Sequence, residues 1–172
     1  MRASVSSGGR PAARVLGLDP GSRVCGYGVV EEKGQALVLI AAGALRPAPE
    51  DPFEQRLAAI HAGLSQVIEQ HHPQEAAVEG VFQAKNPRSA LLLGHARGVA
   101  LLAAAQAGLK VHEYPPASVK KALVGGGRAA KEQVRAMVSA ILNAKDRLSL
   151  DASDALAVAI AHLHSRRLRG LS

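Results

Sequence analysis

The 172-residue sequence predicts an α/β fold built on one mixed β-sheet flanked by helices. Three observations carry this. Three short apolar runs near the amino end are joined by connections too short for helical crossovers, so they form an antiparallel meander. After them, strand-like and helix-period segments alternate, which places two further strands parallel in the same sheet. The apolar fraction is 48%, and no internal repeat or linker divides the chain, so one core is expected. The predicted organisation is a loose arm over 1–13, a single domain over 14–165 and a basic tail over 166–172.

The elements follow in order. "RVLGLD" reads as the first strand and Pro20-Gly21 as a turn. "RVCGYGVVEE" is the second strand and "ALVLIAAG" the third, with Gly34 at the turn between them. "LRPAPEDP" is a loop. Asp51-Pro52 then opens a helix whose apolar positions Phe53, Leu57, Ile60, Leu64, Val67 and Ile68 recur at helical spacing. That helix ends by His71-His72-Pro73.

"EAAVEGVF" is the fourth strand. Asn86-Pro87 starts a long Leu/Ala-rich helix that stops at Gly108. "LKVHEYPP" is the fifth strand and "ASVKKALVG" a short basic helix. The loop Gly125-Gly126-Gly127 leads to a helix over 128–143, and "DASDALAVAIAHLHSRRL" is the last helix.

Composition narrows the function. Net charge is +7, and residues 110–172 hold eleven Lys/Arg against five Asp/Glu. An excess gathered in one third of the chain suits a polyanionic partner, with a merely soluble basic surface as the alternative. Phe53, Phe82, Tyr27 and Tyr114 are the only aromatics, too few for extensive base stacking. Cys25 is the only cysteine, which rules out an internal disulfide and suits a reducing compartment. The amino end has no signal-peptide pattern, and His95, Arg97 and Gln106 interrupt the longest apolar stretch, so a membrane span is not expected.

Four acids stand out. Asp19 and Glu79 each sit near the end of an apolar strand, and Asp151 and Asp154 lie three apart on one face of the last helix. If these ends converge, the pocket is all carboxylate, and such a cluster is costly without a cation. Two Mg²⁺ or Mn²⁺ ions would offset the repulsion and suit in-line hydrolysis of a phosphodiester. Each acid also has a plain structural reading. Asp19 fits an Asx turn, Glu79 a solvent-facing strand residue, and Asp151 with Asp154 an acidic capping box.

The basic residues Lys120, Lys121, Arg128, Lys131 and Arg135 bracket the triglycine loop. They are candidates for phosphate contact or for a solvated face. Lys85 and Arg88 flank the start of the long helix and join the same DNA-binding set. Phe82 is either core or a wedge against a base. Gly94-x-x-x-Gly98 puts two small residues on one helix face, suiting either a symmetric contact between two copies or tight packing on the chain's own sheet.

Other motifs fail. The amino-terminal glycines lack G-x-G-x-x-G spacing, and the triglycine loop lacks a Walker lysine. His162 and His164 are two apart on a helix, so local spacing gives no zinc motif. Cys25 is read as a small buried hydrophobe.

Taken together, "GLDPGSRVCGYGVV", "VEGVFQAKNPRSALLLGHARGVAL" and "DASDALAVAIAH" resemble the RuvC family of bacterial crossover junction endodeoxyribonucleases, the Holliday junction resolvases. The resemblance runs from about Arg14 to His164. It implies an RNase H-like fold, a homodimer and Mg²⁺-dependent paired nicking of four-way junctions. By motif match it assigns catalysis and metal binding to Asp19, Glu79, Asp151 and Asp154. It assigns DNA contact to Phe82, Lys120 and Lys131, and it implies partnership with the RuvA–RuvB branch-migration complex. The nearest enzyme rival shares the implied fold: actin-like ATPases and sugar kinases also open with an Asp–Gly turn between strands, but they need two such domains, which 172 residues cannot supply. Related RNase H-like exonucleases or RNases could use the same metals on different substrates. A DNA-binding module without catalysis would leave Asp19 and Glu79 unexplained.

Overall fold

The structure is a computed structural model that describes residues 12–80 and 86–169. Five strands form one sheet in the order β3-β2-β1-β4-β5. The strands β1 (Arg14–Pro20), β2 (Cys25–Lys33) and β3 (Ala36–Leu45) pair antiparallel. The strands β4 (Glu75–Glu79) and β5 (Lys110–Tyr114) run parallel to β1. The predicted mixed sheet is therefore observed, with β1 and β4 at its centre.

Helices cover both faces. On one side lie α1 (Phe53–His71) and α2 (Pro87–Gln106). On the other lie α3 (Pro116–Val124), α4 (Lys131–Leu142) and α5 (Leu150–Arg169). Side chains alternate across each strand. Leu16, Leu18, Ala76 and Val78 join the core under α1 and α2, whereas Val15, Val30 and Ala77 join the core under α5. By the same alternation Gly17, Asp19, Glu75 and Glu79 belong to the α5 face.

The helix ends show local causes. Asn86 caps α2 by accepting a hydrogen bond from the Ser89 amide, with Pro87 at the first turn. The triglycine loop begins with Gly125 at φ 76°, the left-handed conformation that ends α3. The helix α4 starts three residues later than expected, because Ala130 is extended and its amide donates to the Gln133 side chain.

The carboxyl end also differs from the expected basic tail. The helix α5 runs through Arg169, and Arg166 and Arg167 fold back onto Glu32, at 3.5 and 2.5 Å. Glu32 is buried on β2, so these cations answer a buried acid. No helix among the described residues is long and apolar enough to cross a membrane.

Candidate active site

Asp19 lies within β1, paired with Gly26 of β2, and is not the head of a turn. Its neighbour in the sheet is the end of β4, since Leu18 pairs with Val78 and Glu79 is the next residue. Two acids thus leave the same end of adjacent central strands on the same face. The first two turns of α5 cross over them, bringing Asp151 and Asp154.

Glycine makes that approach possible. A β-carbon added to Gly26 would collide with the Asp151 backbone, and one on Gly17 with the Ala155 carbonyl. On Gly28 it would meet the Leu156 side chain at 2.5 Å. The glycines of the amino-terminal block therefore serve close helix-on-strand packing. The capping-box reading of Asp151 and Asp154 does not hold. Ser149 sits before the helix, and its Oγ accepts from the Ala152 amide at 3.3 Å. That leaves Asp151 in the first turn with its carboxylate free for other partners.

The charges of the four acids act on one another. Burial raises the Asp19 pKa to about 7, with the negative charges of Asp154, Asp151 and Glu79 adding to the rise and Lys131 opposing it. Glu79 is raised by burial and by Asp154, against Lys131 and Lys120. Asp154 is also raised, by burial first, while Lys131 and Arg135 pull the other way. Lys131 Nζ lies 3.9 Å from Asp154 Oδ2. The four acids share one field, and three of the predicted basic residues, Lys120, Lys131 and Arg135, act on it.

Other predicted residues lie elsewhere. Lys121 lines a groove between α3 and α5 with Tyr114 and His164. Arg128 faces the outer side of α4 beside Met137, and Arg88 is exposed in the first turn of α2. Phe82 and Lys85 fall outside the described residues. Cys25 is buried, and burial together with Asp19 and Asp151 pushes its thiol up to about 12, so it is inert as expected.

Two arginines at the site were not anticipated. Arg46, just past β3, pairs with Asp151 at 2.9 Å. Arg97 of α2 donates from Nη1 to the Glu79 carbonyl at 2.6 Å and reaches Glu113 at 2.9 Å. It thereby ties down the strand end that carries Glu79.

The donor set is all oxygen, which hard divalent cations accept, and a cation among the acids would relieve the repulsion that adds to the effect of burial on Asp19. A different group has tighter ligand spacing. Glu75, His112 and His162 bring one ligand atom each within 4.8 Å of one another. Glu75 starts β4 and Glu79 ends it, so about 13 Å of extended strand separates that group from the carboxylates.

Comparison with known proteins places this arrangement. The family model described as crossover junction endodeoxyribonuclease RuvC matches residues 15–162. A RuvC endodeoxyribonuclease of Pelobacter propionicus is 52% identical over 155 residues, covering 90% of this chain and 88% of that protein. The RuvC of Azorhizobium caulinodans is 50% identical over 153 residues, with 89% and 90% covered. Among solved structures, Thermus thermophilus RuvC in complex with a Holliday junction substrate superposes with TM-score 0.86 at 37% identity, covering 91% of this chain and 96% of that one. The yeast mitochondrial Holliday junction resolvase Ydc2, at 14% identity and TM-score 0.64, shares the fold.

Proposed function

The chain belongs to the RuvC family of crossover junction endodeoxyribonucleases, and from that premise we infer how its residues do the work. It is a nuclease that resolves Holliday junctions by hydrolysing phosphodiester bonds. The observation that carries the reading is the convergence of Asp19, Glu79, Asp151 and Asp154, in which burial raises Asp19 to about 7 and the charges of the other three acids add to the rise.

In the proposed mechanism these four carboxylates would hold divalent ions, Mg²⁺ in the cell with Mn²⁺ as a substitute, two per site. Such ions would supply an activated water and charge stabilisation for the attacking and leaving oxygens. Strand pairing fixes the backbone that carries Asp19 and Glu79, and Arg97 adds a hold on the Glu79 carbonyl, so both acids leave a rigid strand end. Lys131, Lys120 and Arg135 offset the negative pocket and draw the phosphate backbone toward it. Phe82, Lys85, Arg88, Lys121 and Arg128 complete the proposed DNA-binding set. The nuclease domain spans 14–165.

The protein works as a homodimer through α2. Ala96, Ala100, Ala103 and Ala104 face its own core, while a β-carbon at Gly94 or Gly98 would meet nothing within 4 Å. The glycines therefore do not serve packing on the chain's own sheet. Leu91 and Leu102, 62% and 49% exposed, share that open side. A two-fold contact there sets two sites against a two-fold junction. A cytoplasmic setting with RuvA–RuvB follows from the same premise.

The test is a nicking assay on four-way, three-way and linear duplex DNA with Mg²⁺, Mn²⁺ or EDTA. Four-way junctions should be cut in pairs with either metal and not with EDTA. Asparagine or glutamine in place of each acid should abolish cutting while junction binding persists. Full cleavage by two such single variants rejects the site.

A further inference from the structure

The Glu75, His112 and His162 group is not used by the nuclease reading, and its geometry is specific. Both imidazoles aim Nε2 at the same carboxylate oxygen, Glu75 Oε2, from 2.9 Å (His112) and 3.0 Å (His162). His162 is fully buried, and its ring lies beside that of His112 with centroids 4.4 Å apart and planes tilted by 37°. The other nitrogen of His162, Nδ1, lies 2.7 Å from the Tyr114 hydroxyl. Glu75 Oε1 is held by Arg166 Nε at 3.2 Å, which leaves Oε2 for the histidines. His112 Nε2 is buried and, despite the short approach to Oε2, has no aligned hydrogen bond.

Such a set is close to a two-histidine, one-carboxylate metal site. A tetrahedral Zn²⁺ with ligand bonds of about 2.0–2.1 Å needs its ligand atoms about 3.3 Å apart, a small expansion from the observed contacts. We propose that Glu75, His112 and His162 bind a borderline divalent transition ion such as Zn²⁺, at a site separate from the nuclease carboxylates, and that this ion clamps α5 to β4 and β5.

The surroundings fit that role. Burial, with His112, pulls His162 down to about 4, so it is the neutral imidazole that metals take. Binding through Nε2 moves the His162 proton to Nδ1, where the Tyr114 oxygen accepts it and fixes the ring. Arg166 opposes a cation, but Glu32 at 3.5 Å shares its charge. Two imidazole nitrogen ligands also favour Zn²⁺ over Mg²⁺, which prefers oxygen. The ion is distant from the other acids along the helix as well, since His162 lies eight residues, about 12 Å, beyond Asp154.

The test uses full-length protein stripped with chelator and returned to excess Mg²⁺, which occupies the carboxylates. Zn²⁺ titration calorimetry should find one ion per chain, and Zn²⁺ should raise the unfolding midpoint. His112→Phe and Glu75→Gln should weaken binding at least ~10-fold and remove the midpoint rise, and Asp19→Asn should leave both intact. Zinc binding that survives His112→Phe, or disappears in Asp19→Asn, overturns the proposal. A readout independent of variant folding is the Co²⁺ spectrum of the unmodified protein. Strong visible bands from a low-coordinate, nitrogen-ligated ion are expected, and their absence overturns the site.

Discussion

Gly26 of β2 lies directly against the backbone of Asp151, with no space between them for a β-carbon. This contact fixes how far the first turn of α5 descends onto the strands, and so how near Asp151 and Asp154 come to Asp19. Gly26→Ala should lift that turn. The expected result is a stability loss of about 1–3 kcal/mol from overpacking, together with a fall in nicking larger than the stability loss accounts for. Urea unfolding beside single-turnover cleavage reads both. A variant that folds and cuts normally would show that the close approach is not needed.

Arg97 acts on Glu79 through the backbone. Its side chain is 13% exposed, and it bonds the Glu79 carbonyl, so it fixes the strand end and not the carboxylate itself. Arg97→Ala should cost about 1.5–3 kcal/mol, as expected for a buried hydrogen bond from a charged group. Nicking should fall while junction affinity stays near normal, and raised Mg²⁺ should recover part of the rate. No response to Mg²⁺ would mean that Arg97 supports the fold alone.

The strand acids were legible because each breaks an apolar run, and the α5 pair because its spacing holds in any helix. The arginines were not. Arg46 meets Asp151 across 105 residues, and Arg97 reaches Glu79 from the next helix, contacts that no local spacing encodes. The histidine group stayed hidden for the same reason. His162 was weighed against His164 on its own helix, whereas its partners are on β4 and β5. Ser149 was missed as a cap because the acidic pair two residues on gave the same pattern.

The open side of α2 predicts the oligomer. Leu102→Glu puts a charge on the open side of α2, within the proposed two-fold contact, without touching the core. Monomer stability should change by less than about 0.5 kcal/mol, as for other exposed sites. Sedimentation should shift toward monomer, and paired cuts should give way to single nicks. A dimer that persists at micromolar concentration would place the interface elsewhere.

The raised pKa of Asp19 predicts a pH dependence in metal-free protein. Its carboxyl titrates near 3.8 in ordinary surroundings and at about 7 in the folded chain. Below about pH 4 both states hold the proton and the site costs nothing. As pH climbs toward 7 the unfolded chain releases it first, so folding takes up a proton and stability falls across that window, levelling off above it. Glu79 and Asp154, also raised, add in the same direction. His162 works oppositely: lowered to about 4, it costs stability as pH drops below 6.5, so the raw curve mixes both effects. The informative quantity is therefore the difference between the unmodified protein and Asp19→Asn in EDTA. That variant should be no more stable near pH 4 and progressively more stable up to pH 7. Mg²⁺, by neutralising the acids, should shrink the gap. A difference that is flat from pH 4 to 8, or that grows on acidification, would show that Asp19 does not carry the site's repulsion.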